Sequence, residues 1–155
     1  MLLMFVFRIG KTKYAEDLSG EGARLNGGRW NHKLVPCIYT SESRALASLE
    51  YTVNVNIEDI PRALSITTFE IPDVDIQFLT EADLPGNWKD APAPSSTKDF
   101  GTNKLKELTN SIIKIPSSVI PNEFNYLLNP LHPNSKLFKI VEITDFIYDV
   151  RIKMV

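Results

Sequence analysis

Residues Glu21–Glu50 read EGARLNGGRWNHKLVPCIYTSESRALASLE and set a glycine-punctuated segment, an apolar run and a helical pattern side by side. The first part, Gly20–Gly28, has glycines at 20, 22, 27 and 28, with Arg24 and Arg29 beside them. Glycine permits positive φ and lets backbone approach a ligand. Successive N–H groups can cradle an anion, and an arginine fork matches phosphate oxygens. Neither a P-loop nor a GxGxxG fingerprint is present, so spacing alone reads this segment as an irregular loop. Trp30 follows and reads first as a core anchor. Val35–Thr40 (VPCIYT) predicts a short strand with Pro36 at its start, where proline is tolerated. Tyr39 is then either a buried tyrosine with a satisfied hydroxyl or a ligand-facing group.

The helix after it is the best-defined element. Ser41 is the expected N-cap, Glu42 falls in the first turn, and Arg44–Val53 holds good helix formers. Ala45, Leu46, Leu49 and Val53 form one apolar stripe. Glu50 falls beside that stripe rather than opposite it. A carboxylate there is satisfied by partners, has a raised pKa, or reaches water at the rim.

Working outward, Leu2–Ile9 is an apolar run that predicts a buried strand ending in Arg8 and Gly10. Lys11–Gly20 reads as loop. Downstream, strands are expected at Leu64–Ile71 and Asp75–Leu79, then a long proline-rich loop over Glu81–Ser96, a length typical of lids or disorder. A helix is expected over Asp99–Asn110 with Ser96 or Thr97 as cap. A strand at Ser111–Ile115 runs into Pro116-Ser117-Ser118, and two more, Leu137–Ile143 and Phe146–Ile152, finish the chain. Strands outnumber helices without regular alternation, which predicts an α+β fold. No repeat or linker divides the chain, so residues 1–155 read as one domain.

Composition narrows the chemistry. The chain has 155 residues, 43% hydrophobic and 23% charged, with net charge −2. That length buries roughly two-thirds of the unfolded surface, and that charge argues against direct nucleic-acid or membrane-surface binding through a basic field. The apolar start is too short for a signal peptide, and no run reaches the roughly 20 residues of a membrane span. The single cysteine, Cys37, fits a reducing cytoplasm. With only His32 and His132 beside it, no metal site is expected. Chemistry must therefore run on Arg, Tyr, Glu, Ser and Asn.

The blocks GARLNGGRWN, IYTSESRALASLE, IPSSVIPNEFNYLLNPLHP and FIYDVRI, in this order, resemble the RES domain, a family that contains the toxins of RES–Xre toxin–antitoxin pairs. The resemblance spans Arg8 to Arg151. It implies an ADP-ribosyltransferase-like fold of two packed, mainly antiparallel sheets with few flanking helices and a dinucleotide cleft between them. It also implies a toxin that consumes NAD+ by breaking the nicotinamide–ribose bond, as a glycohydrolase, phosphorylase or ADP-ribosyltransferase, and an Xre-type antitoxin as hetero-oligomeric partner. Carried over by position, it assigns Glu50, Arg29, Tyr39 and Ser117 to catalysis. Arg8, Arg29, Tyr39 and Asn125 fall to NAD+ binding, with Arg24 as a further candidate. The chain departs from the family pattern at Lys33-Leu34, where a glycine is usual, at Asn54 in place of a histidine, and at Lys104 in place of a tryptophan.

Loss of nicotinamide builds positive charge on the ribose, as in glycoside hydrolysis, and the leaving group departs neutral, so no strong general acid is required. The expected roles follow. Arg29, helped by Arg8, clamps the pyrophosphate; Tyr39 borders the cationic nicotinamide ring; Glu50 holds a ribose hydroxyl and steadies the oxocarbenium charge. Ser117 and Asn125 bond the ribose or the nicotinamide amide. Two competing classes are a non-catalytic nucleotide- or peptide-binding module using the same cleft and, disfavoured by the acidic charge, a nucleic-acid-processing enzyme.

Overall fold

A computed structural model describes residues 2–56, 60 and 63–152. Seven strands are hydrogen-bonded into one mixed sheet: β1 (Leu3–Lys11), β2 (Ile38–Ser41), β3 (Leu64–Pro72), β4 (Ile76–Phe78), β5 (Ile112–Pro116), β6 (Phe124–Leu128) and β7 (Lys139–Phe146). Their order is β4-β5-β6-β2-β1-β3-β7. Only β4 and β5 run parallel; the other neighbours are antiparallel. Among the described residues three α-helices accompany them: α1 (Glu21–Asn26), α2 (Arg44–Val53) and α3 (Ser95–Glu107).

The expected pair of separate sheets is therefore corrected to one continuous sheet with a weak seam. β1 and β3 share nine register pairs, from Leu3–Pro72 to Lys11–Leu64. β1 and β2 share a single one, Phe7–Ser41. The seam divides a β4-β5-β6-β2 half from a β1-β3-β7 half. β5 and β6 feed cores on both faces of the sheet, their apolar runs broken by Lys114 and Asn125. Ile113, Ile115 and Leu127 pack with Trp30, Trp88 and Leu105 in one core. Ile112, Tyr126 and Leu128 pack with Val6, Phe69 and Ile71 in another. A third, smaller cluster of Phe7, Ile9 and Ala47 seats α2 on β1.

Several boundaries differ from expectation, each for a local reason. The Gly20–Gly28 segment is not all loop, because Glu21–Asn26 forms a short helix capped at both ends by positive-φ glycines. Asp17 starts that turn by accepting from Gly20 N and Glu21 N through Oδ2. Ser41 is not the N-cap of α2. Ser43 takes that role, its Oγ accepting from Leu46 N at 3.0 Å, while Ser41 stays in β2. α3 starts at Ser95 directly after Pro94, which is pre-set for a helix start. The expected caps Ser96 and Thr97 lie inside its first turn. The loop before it is anchored through Leu84 and Trp88, both core residues. At the end of the chain one strand, β7, replaces the two expected. The chain then turns so that the Tyr148 hydroxyl donates to Thr52 Oγ1 of α2, and Val150–Ile152 forms a 3-10 turn.

Candidate active site

A cavity of about 920 Å³ lies along this seam, inside the range of small-molecule sites. Strand parity supplies one wall: Tyr39 and Ser41 of β2 face Leu127 and Asn125 of β6 in direct register, and all four line the cavity. Helical spacing supplies the second wall, with Ala47, Glu50, Tyr51 and Asn54 at i, i+3, i+4 and i+7 of one α2 face. β1 contributes Arg8, the glycine segment contributes Arg29, and the loop before α3 contributes Lys89, Ala91, Pro92 and Ala93.

Glu50 is the centre of the polar network. Its Oε1 accepts from Ser117 Oγ at 2.7 Å and from Asn125 Nδ2 at 2.7 Å. Oε2 has no hydrogen-bond partner among the described residues. Side-chain donors thus satisfy one of its two oxygens. Ser117 is in turn fixed, because its Oγ accepts from Val119 N and Ile120 N in the turn after β5. Asn125 Oδ1 accepts from Ser41 Oγ at 2.7 Å. The result is a set of polar groups converging on one carboxylate oxygen, Ser41 through Asn125 and Ser117 directly, and leaving the other open among the described residues.

The two arginines are held in different ways. Arg29 donates from Nη1 to the carbonyls of Trp88 at 2.9 Å and Asp90 at 2.7 Å, so it ties the glycine segment to the loop across the cavity. Burial lowers its pKa, and the Glu50 charge opposes that shift; a guanidinium stays cationic throughout. Arg8 donates from Nη2 to the carbonyls of Tyr14, Ala15 and Asp17 and lies over the Phe69 ring at 4.8 Å. Burial lowers its pKa too, with Asp17 opposing. Arg8 thus shapes the loop after β1 as well as lining the cavity.

Tyr39 is committed to structure at its hydroxyl. That oxygen donates to Asn31 Oδ1 at 2.5 Å and accepts from Trp30 N at 3.0 Å. Burial raises its pKa well above that of an ordinary tyrosine, so the phenol is neutral. What it offers the cavity is its ring. Gly28 is required beside it: a Cβ there would stand 2.7 Å from the Tyr39 hydroxyl.

Of the seven residues singled out in the sequence, Arg8, Arg29, Tyr39, Glu50 and Asn125 line the cavity. Ser117 is buried behind Glu50 and meets the cavity through that carboxylate. Arg24 stands apart, outside the lining residues, with Nε and Nη2 donating to Glu21 at 2.7 Å each. Two residues of the network escaped sequence reasoning. Asn31 is fully buried and donates to the carbonyls of Ala23, His32 and Val35. Ser41 was read as a cap, although its parity with Tyr39 marks it as sharing that face. Among the described residues no cluster of His, Cys, Asp and Glu is suited to a metal ion, and no helix is long and apolar enough to cross a membrane.

Fold and site together define an α+β protein that presents two arginines, an aromatic ring and one oriented carboxylate to a single cavity. The same fold occurs in the crystal structure of the M. tuberculosis MbcT–MbcA toxin–antitoxin complex. The match has a TM-score of 0.72 at 20% identity and covers 94% of this chain and 85% of that one. The RES domain model matches residues 5–149, and the chain belongs to that family. It is similar to a protein named Toxin Res from Yersinia enterocolitica, 36% identical over 152 residues, covering 97% of this chain and 100% of that protein. It is also similar to a Prs ADP-ribosylating toxin from Sphingobium sp. (strain YBL2), 35% identical over 144 residues, covering 91% of this chain and 89% of the other.

Proposed function

We propose that this chain is the toxin of a toxin–antitoxin pair and that it consumes NAD+ by breaking the nicotinamide–ribose bond. The observation that carries this reading is Glu50, held through Oε1 by Ser117 and Asn125 with Oε2 unpaired among the described residues, in one cavity with Arg29 and Tyr39. The names of the relatives support it: one is an ADP-ribosylating toxin and another a Toxin Res. The MbcT–MbcA assembly, a toxin bound to its antitoxin, supports an antitoxin protein as partner, and the family resemblance makes that partner Xre-like.

In the reaction, the C1′–N1 bond breaks and its electron pair leaves with the pyridinium nitrogen, giving neutral nicotinamide and a ribosyl oxocarbenium ion. Water, phosphate or a nucleophile on a protein then closes the new bond at C1′ and releases its proton. Glu50 Oε2 holds a ribose hydroxyl and steadies the cation. Arg29 and Arg8 bind pyrophosphate through the guanidinium nitrogens not engaged by carbonyls. The Tyr39 ring borders the nicotinamide. Ser117 and Asn125 act through Glu50 rather than on the sugar, which revises the role expected of them from sequence.

The test is to incubate the purified protein, free of any co-purified antitoxin, with NAD+ and measure released nicotinamide. Mass spectrometry with and without phosphate then identifies the ADP-ribose product. Glu50→Gln keeps the length and one acceptor oxygen, so it should fold as wild type while losing about 10²–10³ in rate, by analogy with deletion of one preorganised electrostatic group. Wild-type turnover in that variant removes Glu50 from the reaction, and absence of nicotinamide from the wild type favours a binding module.

A further inference from the structure

We propose that Ser41 is a positioning residue: it sets the plane of the Asn125 amide and, through it, the direction in which Glu50 presents Oε2. The inference deepens the reading of Glu50 as the acid at the ribose and rests on it. Ser41 and Asn125 are a direct cross-strand pair of β2 and β6, so their side chains stand on one face. The Ser41 hydroxyl donates to Asn125 Oδ1 at 2.7 Å, and Asn125 Nδ2 donates to Glu50 Oε1 at 2.7 Å. An amide oxygen only accepts and an amide nitrogen only donates, so the whole chain has one direction of donation, running from Ser41 to the carboxylate.

One bond to Glu50 would leave the Asn125 amide free to swing about that contact. The second bond, from Ser41, fixes its plane. The mount itself is rigid, because Ser41 is the residue at which β2 pairs with both neighbours, Asn125 on one side and Phe7 across the seam on the other. The hydroxyl is not diverted to capping, since Ser43 caps α2. Ser41 is only 4% exposed, so water has little room to replace the lost donor in a Ser41→Ala variant. Misplacement of a reacting group by about 1 Å costs on the order of 10²-fold in rate, and loosening one of two anchors should give a smaller loss.

The test is a double-mutant cycle of Ser41→Ala and Asn125→Ala, read by nicotinamide release from NAD+, together with NMR of the Asn125 side-chain amide. Ser41→Ala should lower kcat about ten-fold, the scale of one lost buried hydrogen bond, with KM for NAD+ within about two-fold of wild type. In the Asn125→Ala background the same change should cost nothing further, because its only route to Glu50 is already gone. The two Asn125 Nδ2 proton signals should shift and exchange faster in Ser41→Ala. Losses that multiply across the cycle, an unchanged kcat, or unmoved Asn125 signals each overturn the proposal. If the wild-type protein releases no nicotinamide, the enzymatic reading fails instead, and the NMR measurement still decides whether Ser41 holds the amide.

Discussion

Replacing Tyr39 with phenylalanine separates two roles that the family resemblance merges. The ring stays, so whatever it offers to a nicotinamide stays. The hydroxyl goes, and with it the acceptor for Trp30 N at 3.0 Å and the donor to Asn31 Oδ1. Asn31 is fully buried, and Trp30 is 3% exposed. Two polar groups are thus orphaned where water cannot reach, each costing about 1–3 kcal/mol. The phenol no longer has to be desolvated, which offsets part of this, so the expected net loss is roughly 2–4 kcal/mol. For a chain of this size a kilocalorie shifts Tm by about 2–4 °C, so Tm should fall by roughly 4–16 °C. Thermal unfolding followed by circular dichroism measures this directly, and nicotinamide release at a temperature where the variant is folded should fall no more than about ten-fold. The reasoning is refuted if Tm stays within about a degree while turnover drops a hundred-fold or more. That outcome would make the hydroxyl a participant in the chemistry.

Other perturbations probe separate parts of the structure. Arg29→Lys replaces a fork by a point charge; it should weaken both the bridge to the Trp88 and Asp90 carbonyls and the hold on NAD+, seen as a raised KM, and unchanged kinetics would count against a phosphate clamp. Arg24→Ala should leave NAD+ turnover within about two-fold of wild type, since its guanidinium engages Glu21 outside the cavity and an exposed pair of this kind contributes little; a large loss would return Arg24 to the site. Gly101→Ala should destabilise by about 1–3 kcal/mol or more in denaturant titration, because a Cβ there would overlap the Trp30 carbonyl oxygen. Asp75 supplies a pH dependence. Burial alone would raise its carboxyl, but hydrogen bonds from Ser111, Asn134 and Asn110 outweigh burial and hold it below the usual range. Its contribution is complete above the unfolded value of about 4 and is lost as pH falls through the lower folded value. The stability gap between wild type and Asp75→Asn should therefore narrow in denaturant titrations taken from about pH 5 down to about pH 2.5; a constant gap would refute that account.

What the chain sequence determined by itself was whatever depends on neighbours along the chain. The periodicity of Arg44–Val53 sufficed for α2 and for the position of Glu50 beside its apolar stripe. The apolar run of β1 and the β-branched, partly alternating pattern of β3 sufficed for strands, and the four family blocks nominated the candidate residues, including Arg24, which stands outside the cavity. The tertiary structure alone decided whatever depends on chain segments far apart. One sheet instead of two follows from the single Phe7–Ser41 pair, which no local pattern encodes. Ser43 displaces Ser41 as cap because Ser41 finds a partner 84 residues away. Arg24 and Arg29 look alike in their glycine-rich segment, yet one reaches an adjacent glutamate and the other spans the cavity. A side chain's role is set by the hydrogen-bond partners that folding brings within about 3 Å, and for Glu50 those partners, Ser117 and Asn125, lie 67 and 75 positions further along the chain.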